Sequence, residues 1–133
     1  MKSALFAALA LFALPAHAAD PAKGESEFKK CKACHAIVAP DGTEVQKGGK
    51  TGPNLWGLIG RPVAAQEGYG YGESILAVGA TGMVWDEASL AAYITDPAKW
   101  LKETLGDSSA RSKMSFKLAK GAEDVAAYLA SVK

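Results

Sequence analysis

The sequence predicts an all-α domain of short helices, and two observations carry that expectation. Helix-start signals recur at Asp20-Pro21, Asp86 and Asp96-Pro97, each an aspartate suited to capping and twice a proline suited to the first turn. No stretch shows the apolar/polar alternation of a half-buried strand, and no repeat or low-complexity segment interrupts the chain. Taken in order, the first helix runs from Asp20-Pro21 to about Cys31. Residues 39–53 are dense in glycine, proline and other turn formers and read as a loop. A short helix is expected around Leu55–Ile59, then a glycine- and tyrosine-rich stretch at Gly68–Gly72 and another short helix at Ser74–Val78. Asp86 caps the next helix, with Leu90, Ala91, Tyr93 and Ile94 as apolar positions, until Pro97 forces an end or a restart. Asp96-Pro97 opens a further turn reaching about Lys102, and Gly106–Ser115 is polar loop. Ala122–Val132 is the last helix, with Val125, Tyr128, Leu129 and Val132 at i, i+3, i+4, i+7 spacing.

The most informative residues are Cys31-Lys-Ala-Cys34-His35. Two thiols three positions apart with a histidine following form the c-type haem attachment signature. Within one helical turn both thiols can add to the two vinyl groups on one edge of a haem, and the adjacent imidazole of His35 then sits under the iron. Two rivals share the CxxC pattern. A zinc site needs further ligands from a chain with no other cysteine. A thioredoxin-like redox pair wants a βαβ context that the sequence does not show.

The leading residues speak for export. Lys2, the apolar run Ala4–Leu14 and Ala16-His17-Ala18 follow the order of a secretory signal peptide. Eleven apolar residues fall short of a membrane span, which takes about 20; an uncleaved anchor is the alternative. Cleavage after Ala18 divides the chain into a signal peptide, residues 1–18, and one exported domain, residues 19–133. His17 leaves with the leader, so His35 is the only histidine of the domain and two-histidine ligation from within the chain is excluded. Met83 and Met114 remain as thioethers, the ligand type that raises a haem potential. Pattern alone does not choose between them, and a lysine or an open sixth position also stands on first principles. A small domain of short helices and loops buries limited apolar area, and a haem supplies a surface for its tryptophans, tyrosines and phenylalanines to condense on.

The chain resembles class I c-type cytochromes, most closely the long bacterial cytochromes c2 and c550. The likeness runs through Gly24, Phe28 and the CKACH segment, Lys50-Thr-Gly-Pro-Asn-Leu55, Gly57, Gly60-Arg61, Tyr69 and Tyr71. It continues through Trp85, Tyr93, Pro97, Lys113-Met114-Ser-Phe116, Val125 and Tyr128. The resemblance implies the small class I cytochrome c fold, short helices and loops wrapped around one haem bound covalently through Cys31 and Cys34. It implies Met114 as the sixth ligand opposite His35, with the Pro53 carbonyl accepting a hydrogen bond from the imidazole. Arg61, Tyr71 and Trp85 would contact the propionates, and Tyr93 would lie near the Met114 sulfur. Gly24 and Phe28 would meet Tyr128 where the first and last helices cross. The segments from His35 to Pro53 and from Pro97 to Met114 are longer than in mitochondrial-type relatives, as in the long bacterial subgroup.

Charge suggests partners. Removing Lys2 from the fifteen basic residues leaves fourteen against fourteen acidic ones, which argues against nucleic acid. Lys29, Lys30 and Lys32 flank the attachment site, Lys47 and Lys50 precede Pro53, and Lys99, Lys102, Lys113, Lys117 and Lys120 surround the methionine segment. Converging on a haem edge, they would steer the protein to acidic patches on redox partners. The expected function is a soluble periplasmic one-electron carrier, a monomer and not an enzyme. By resemblance its donor is a cytochrome bc-type complex, and its acceptor a photosynthetic reaction centre, terminal oxidase or periplasmic reductase. The alternatives are a c-type haem enzyme or gas sensor with an open sixth site, and a disulfide oxidoreductase using Cys31 and Cys34.

Overall fold

The computed structural model describes residues 18–133, so the signal peptide expected over residues 1–18, and His17 with it, falls outside the described chain except for Ala18. Among the described residues five α-helices dominate: α1 Pro21–Glu27, α2 Glu73–Ala80, α3 Glu87–Thr95, α4 Pro97–Leu105 and α5 Ala122–Ser131. A small antiparallel pair, β1 Ile37–Val38 and β2 Glu44–Gln46, is the only sheet among the described residues.

Caps explain most boundaries. The Asp20 side chain accepts from the Ala22 and Lys23 amides and starts α1, with Pro21 in its first turn. The helix stops at Glu27, four residues before the expected end, and tightens into a 3-10 turn over Phe28–Lys30. That turn delivers Cys31 to the cavity described below. Asp86 and Ser89 form a reciprocal capping box at the start of α3. Asp96, extended at φ −156° as suits a residue before proline, ends α3 and caps α4 by accepting from the Lys99 amide. α4 outruns its expected end at Lys102 because the stop signal is Gly106, whose left-handed φ of 62° lets its amide and that of Asp107 close the last turn.

Two expectations fail for local reasons. Residues 39–53 are not wholly loop. The Asp41 carboxylate accepts from the Thr43 amide and Gly42 takes φ 88°, so Pro40-Asp41-Gly42 turns the chain and pairs Ile37 with Gln46 and Val38 with Glu44. Strands this short carry no readable alternation. Residues 55–59 form no helix, because Gly57 takes a left-handed φ of 62° and the Gly60 amide, which would close a turn on Trp56, donates to Trp85. The Leu55 amide donates to Ala36, the Trp56 amide to the Asn54 side chain, the Gly57 amide to Val132, and Arg61 takes the Trp56 carbonyl.

The helices pack around one core, in which Phe28, Ile37, Leu101, Val78, Val125 and Pro97 are fully buried. α1 crosses α5 at Gly24, where an added Cβ would collide with the Asp124 carbonyl, and the Phe28 and Tyr128 rings meet 5.8 Å apart. Both contacts match the expectation for this crossing. Gln46 donates to the Tyr128 hydroxyl at 2.9 Å, tying the hairpin to α5.

Candidate functional site

A cavity of about 440 Å³ opens between the CKACH segment and the chain that follows α4. Its lining brings together Cys31, Cys34, His35, Pro53, Arg61, Tyr71, Trp85, Tyr93 and Met114, every residue expected at the site. Met83 does not line it; that residue packs against the core and spends its carbonyl on the Val63 amide.

The histidine wall is built from backbone. The amides of Cys34 and His35 both donate to the Cys31 carbonyl, closing one turn that sets the two sulfurs and the imidazole on the same cavity. Residues 48–52 cross beneath it, the Gly49 amide donating to Lys32 and the Gly52 amide to Cys34, each at 2.8 Å. The approach is too close for side chains. A Cβ on Gly48 would strike the His35 carbonyl, on Gly49 the Ala33 carbonyl, and on Gly52 the imidazole itself. His35 is 9% exposed, and its Nδ1 lies 2.8 Å from the Pro53 oxygen. A carbonyl only accepts, so Nδ1 carries the proton and Nε2 keeps a free lone pair. Burial lowers the imidazole pKa and the Pro53 bond partly opposes it, so the ring is neutral at physiological pH.

Burial pushes Cys31 up to about 11, helped by Glu27 and opposed by Lys30. A thiol that attacks disulfides has its pKa shifted the opposite way, downward. Among the described residues no cluster of three or more His, Cys, Asp and Glu side chains gathers to hold a metal ion such as zinc.

The same lining carries Met114 with Tyr93, Leu90, Ile94 and Leu118. Ser112 donates to the Met114 carbonyl, Lys113 Nζ to Gly70 at 2.7 Å, and the Leu118 amide to Ile94. Behind it Trp85, Tyr93 and Trp100 form a cluster with ring centroids 5.2–5.4 Å apart. Burial raises the Tyr93 pKa against a lowering from Ser112, which keeps its hydroxyl protonated.

The polar end centres on Arg61. Its Nη1 and Nη2 donate to the carbonyls of Trp56 and Asn54, while Nε is buried without a partner. Burial lowers its pKa, and among the described residues no carboxylate pairs with its charge. An acidic group entering beside Arg61 and Tyr71 would complete both. Among the lysines, Lys30 and Lys113 border the cavity. Exposed Lys30, Lys47, Lys99 and Lys117 each have an acidic neighbour within 4 Å.

Three features escaped sequence reasoning. The glycines at 48, 49 and 52 read as turn formers rather than as close approaches to CKACH. Asn54 followed Pro53 without a role, yet its side chain bonds the Val38 amide and carbonyl and the Trp56 amide. Gln66, which no motif marks, accepts from the Asn54 amide at 2.8 Å.

No protein-family model matches the chain. It is 57% identical to cytochrome c2 of Rhodobacter capsulatus over 132 residues, 99% of this chain and 96% of that protein. It is 56% identical to cytochrome c-550 of Paracoccus versutus over 136 residues, 98% and 88% of the two chains. The solved structure of the Rhodobacter capsulatus cytochrome c2 superposes with a TM-score of 0.83 at 58% identity, covering 84% of this chain and 97% of that one. Ferric cytochrome c-550 from Paracoccus versutus gives 0.84 at 57% identity, covering 86% and 98%.

Proposed function

The chain belongs to the cytochrome c2 and c-550 family of class I c-type cytochromes, and from that premise we propose that it carries single electrons on one covalently bound haem held between His35 and Met114. The observation that supports this reading best is the company His35 keeps: a neutral imidazole with its Nε2 free shares one cavity with Met114, the only methionine among the described residues that lines it. The residues present fit the group. Cys31 and Cys34 would hold it through thioethers, the aromatic and aliphatic lining would exclude water, and the unpartnered Arg61 Nε would meet a propionate. When bound, the haem supplies the Fe(II)/Fe(III) couple. The chain's own work is to hold the Nδ1 proton of His35 on Pro53, fixing the ring plane and its basicity. Met114 would set a high potential through its thioether, and the largely apolar lining would limit reorganisation. No bond to a substrate is made or broken, so the role is carriage rather than catalysis.

On the same reading residues 1–18 are a leader removed on export to the periplasm and residues 19–133 act there. Donor and acceptor are membrane redox complexes, a cytochrome bc-type complex on one side and a reaction centre or terminal oxidase on the other. Lys30 and Lys113 at the cavity border would begin the positive surface that meets them. Association with such a partner should slow as ionic strength rises.

Absorption spectra of the exported protein test the ligation. The ferric long-wavelength band of an iron–thioether bond should be present in wild type and Met83→Ala and absent in Met114→Ala. A wild type without that band, binding carbon monoxide readily when reduced, would instead establish the open-site enzyme or sensor. Mass under denaturing conditions should equal a chain beginning at Ala19 plus one haem.

A further inference from the structure

We propose that Gln66 is a positioning residue that tunes His35 through the Pro53–Asn54 peptide group, an inference that rests on His35 being the axial ligand. Both ends of that one peptide are engaged. Its carbonyl, on Pro53, accepts from His35 Nδ1 at 2.8 Å, and its N–H, on Asn54, donates to Gln66 Oε1 at 2.8 Å. A peptide N–H that donates shifts electron density toward its own carbonyl oxygen, because the two share one delocalised system. Linked hydrogen bonds strengthen one another by roughly 10–30% per bond. The Gln66 carboxamide therefore makes the Pro53 oxygen a better acceptor, and His35 Nε2 a more electron-rich ligand that favours the ferric state.

The surroundings hold this relay rigid. Asn54 is fixed by its side chain, which bonds the amide and carbonyl of Val38 and the amide of Trp56, and by its carbonyl, which accepts from Arg61 Nη2. Proline fixes the preceding φ. Gln66 is held in turn, its own amide donating to the Tyr71 hydroxyl at 3.1 Å. A line of hydrogen bonds thus joins Tyr71 at the polar end of the cavity to the imidazole at its wall.

The test compares wild type, Gln66→Met and Gln66→Glu as haem-loaded proteins at neutral pH. It reads the His35 Nδ1 proton resonance in the reduced state and the midpoint potential. Methionine keeps the length of glutamine but is a weak acceptor, so the resonance should move upfield and the potential rise. Glutamate offers a charged acceptor, so the resonance should move downfield of wild type and the potential fall. A merely structural role would loosen both variants in the same direction. Resonances unmoved in both variants, or displaced to the same side, would overturn the proposal while intact absorption bands leave the ligation standing. A wild type whose haem lacks an imidazole ligand would overturn both readings before the variants are compared.

Discussion

The two walls of the cavity are made of different materials. Around His35 the chain is locked backbone to backbone. The amides of Gly49, Gly52 and Leu55 donate to Lys32, Cys34 and Ala36, and three glycines remove every side chain that would hold the strands apart. Around Met114 the backbone donates little. The Leu118 amide reaches Ile94, and the rest of the support comes from Ser112, Lys113 and the bond from the Arg111 amide to Ser74. Phe116, two residues on, remains 40% exposed. A ligand wall pinned by backbone opens only when the domain unfolds, whereas one pinned by surface side chains opens locally at lower cost. The fold thus fixes the His35 side of the cavity and leaves the Met114 side adjustable.

Substitutions can break that contrast. Gly52→Ala should have the largest effect, since its Cβ overlaps the imidazole ring and the surrounding backbone cannot yield. A loss at or beyond the ~3 kcal/mol upper end of overpacking costs, with poor haem incorporation, is expected by denaturant titration and absorbance. Gly24→Ala acts behind the same wall, forcing α1 away from the Asp124 carbonyl and Tyr128. It should cost about 1–3 kcal/mol in thermal unfolding while the haem bands keep their positions. Lys113→Ala removes the bond to Gly70 together with a charge at the cavity border. About 0.5 kcal/mol should be lost, confined to the Met114 wall and visible as displacement of the thioether band at lower alkaline pH.

The smallest effect concerns the corner beneath that wall. The Asp96 carboxyl lies below the usual carboxylate range, first because the Lys99 amide donates to it and then through Lys117. A carboxyl with a lowered folded pKa stabilises fully above its unfolded value, and that contribution is lost as pH falls through the folded one. Asp96→Asn keeps a capping oxygen but cannot titrate. Its melting temperature should fall less steeply than wild type as pH drops below the ordinary carboxylate range.

What the sequence disclosed follows the same division. Cys31, Cys34, His35 and the capping aspartates are legible because their chemistry depends on spacing along the chain. The resemblance carried Met114, Arg61 and Tyr71 into one cavity, and the structure places them there. Contacts set by tertiary approach left no local mark. Gly48, Gly49 and Gly52 read as turn formers because nothing nearby announces that they lie against CKACH. The segment after Pro53 read as helix because its amides' distant partners, Ala36 and Val132, were invisible. Gln66 carried no signal at all, since a single carboxamide reaching across the fold has no pattern.

Amide hydrogen exchange on the haem-loaded ferric protein tests the contrast between the walls most directly. Amides of residues 111–117 should exchange through a local opening well below the global unfolding free energy. Those of Cys34, His35, Gly52, Asn54 and Leu55 should exchange only through global unfolding. Equal protection of the two sets, or earlier exchange on the His35 side, would contradict the account.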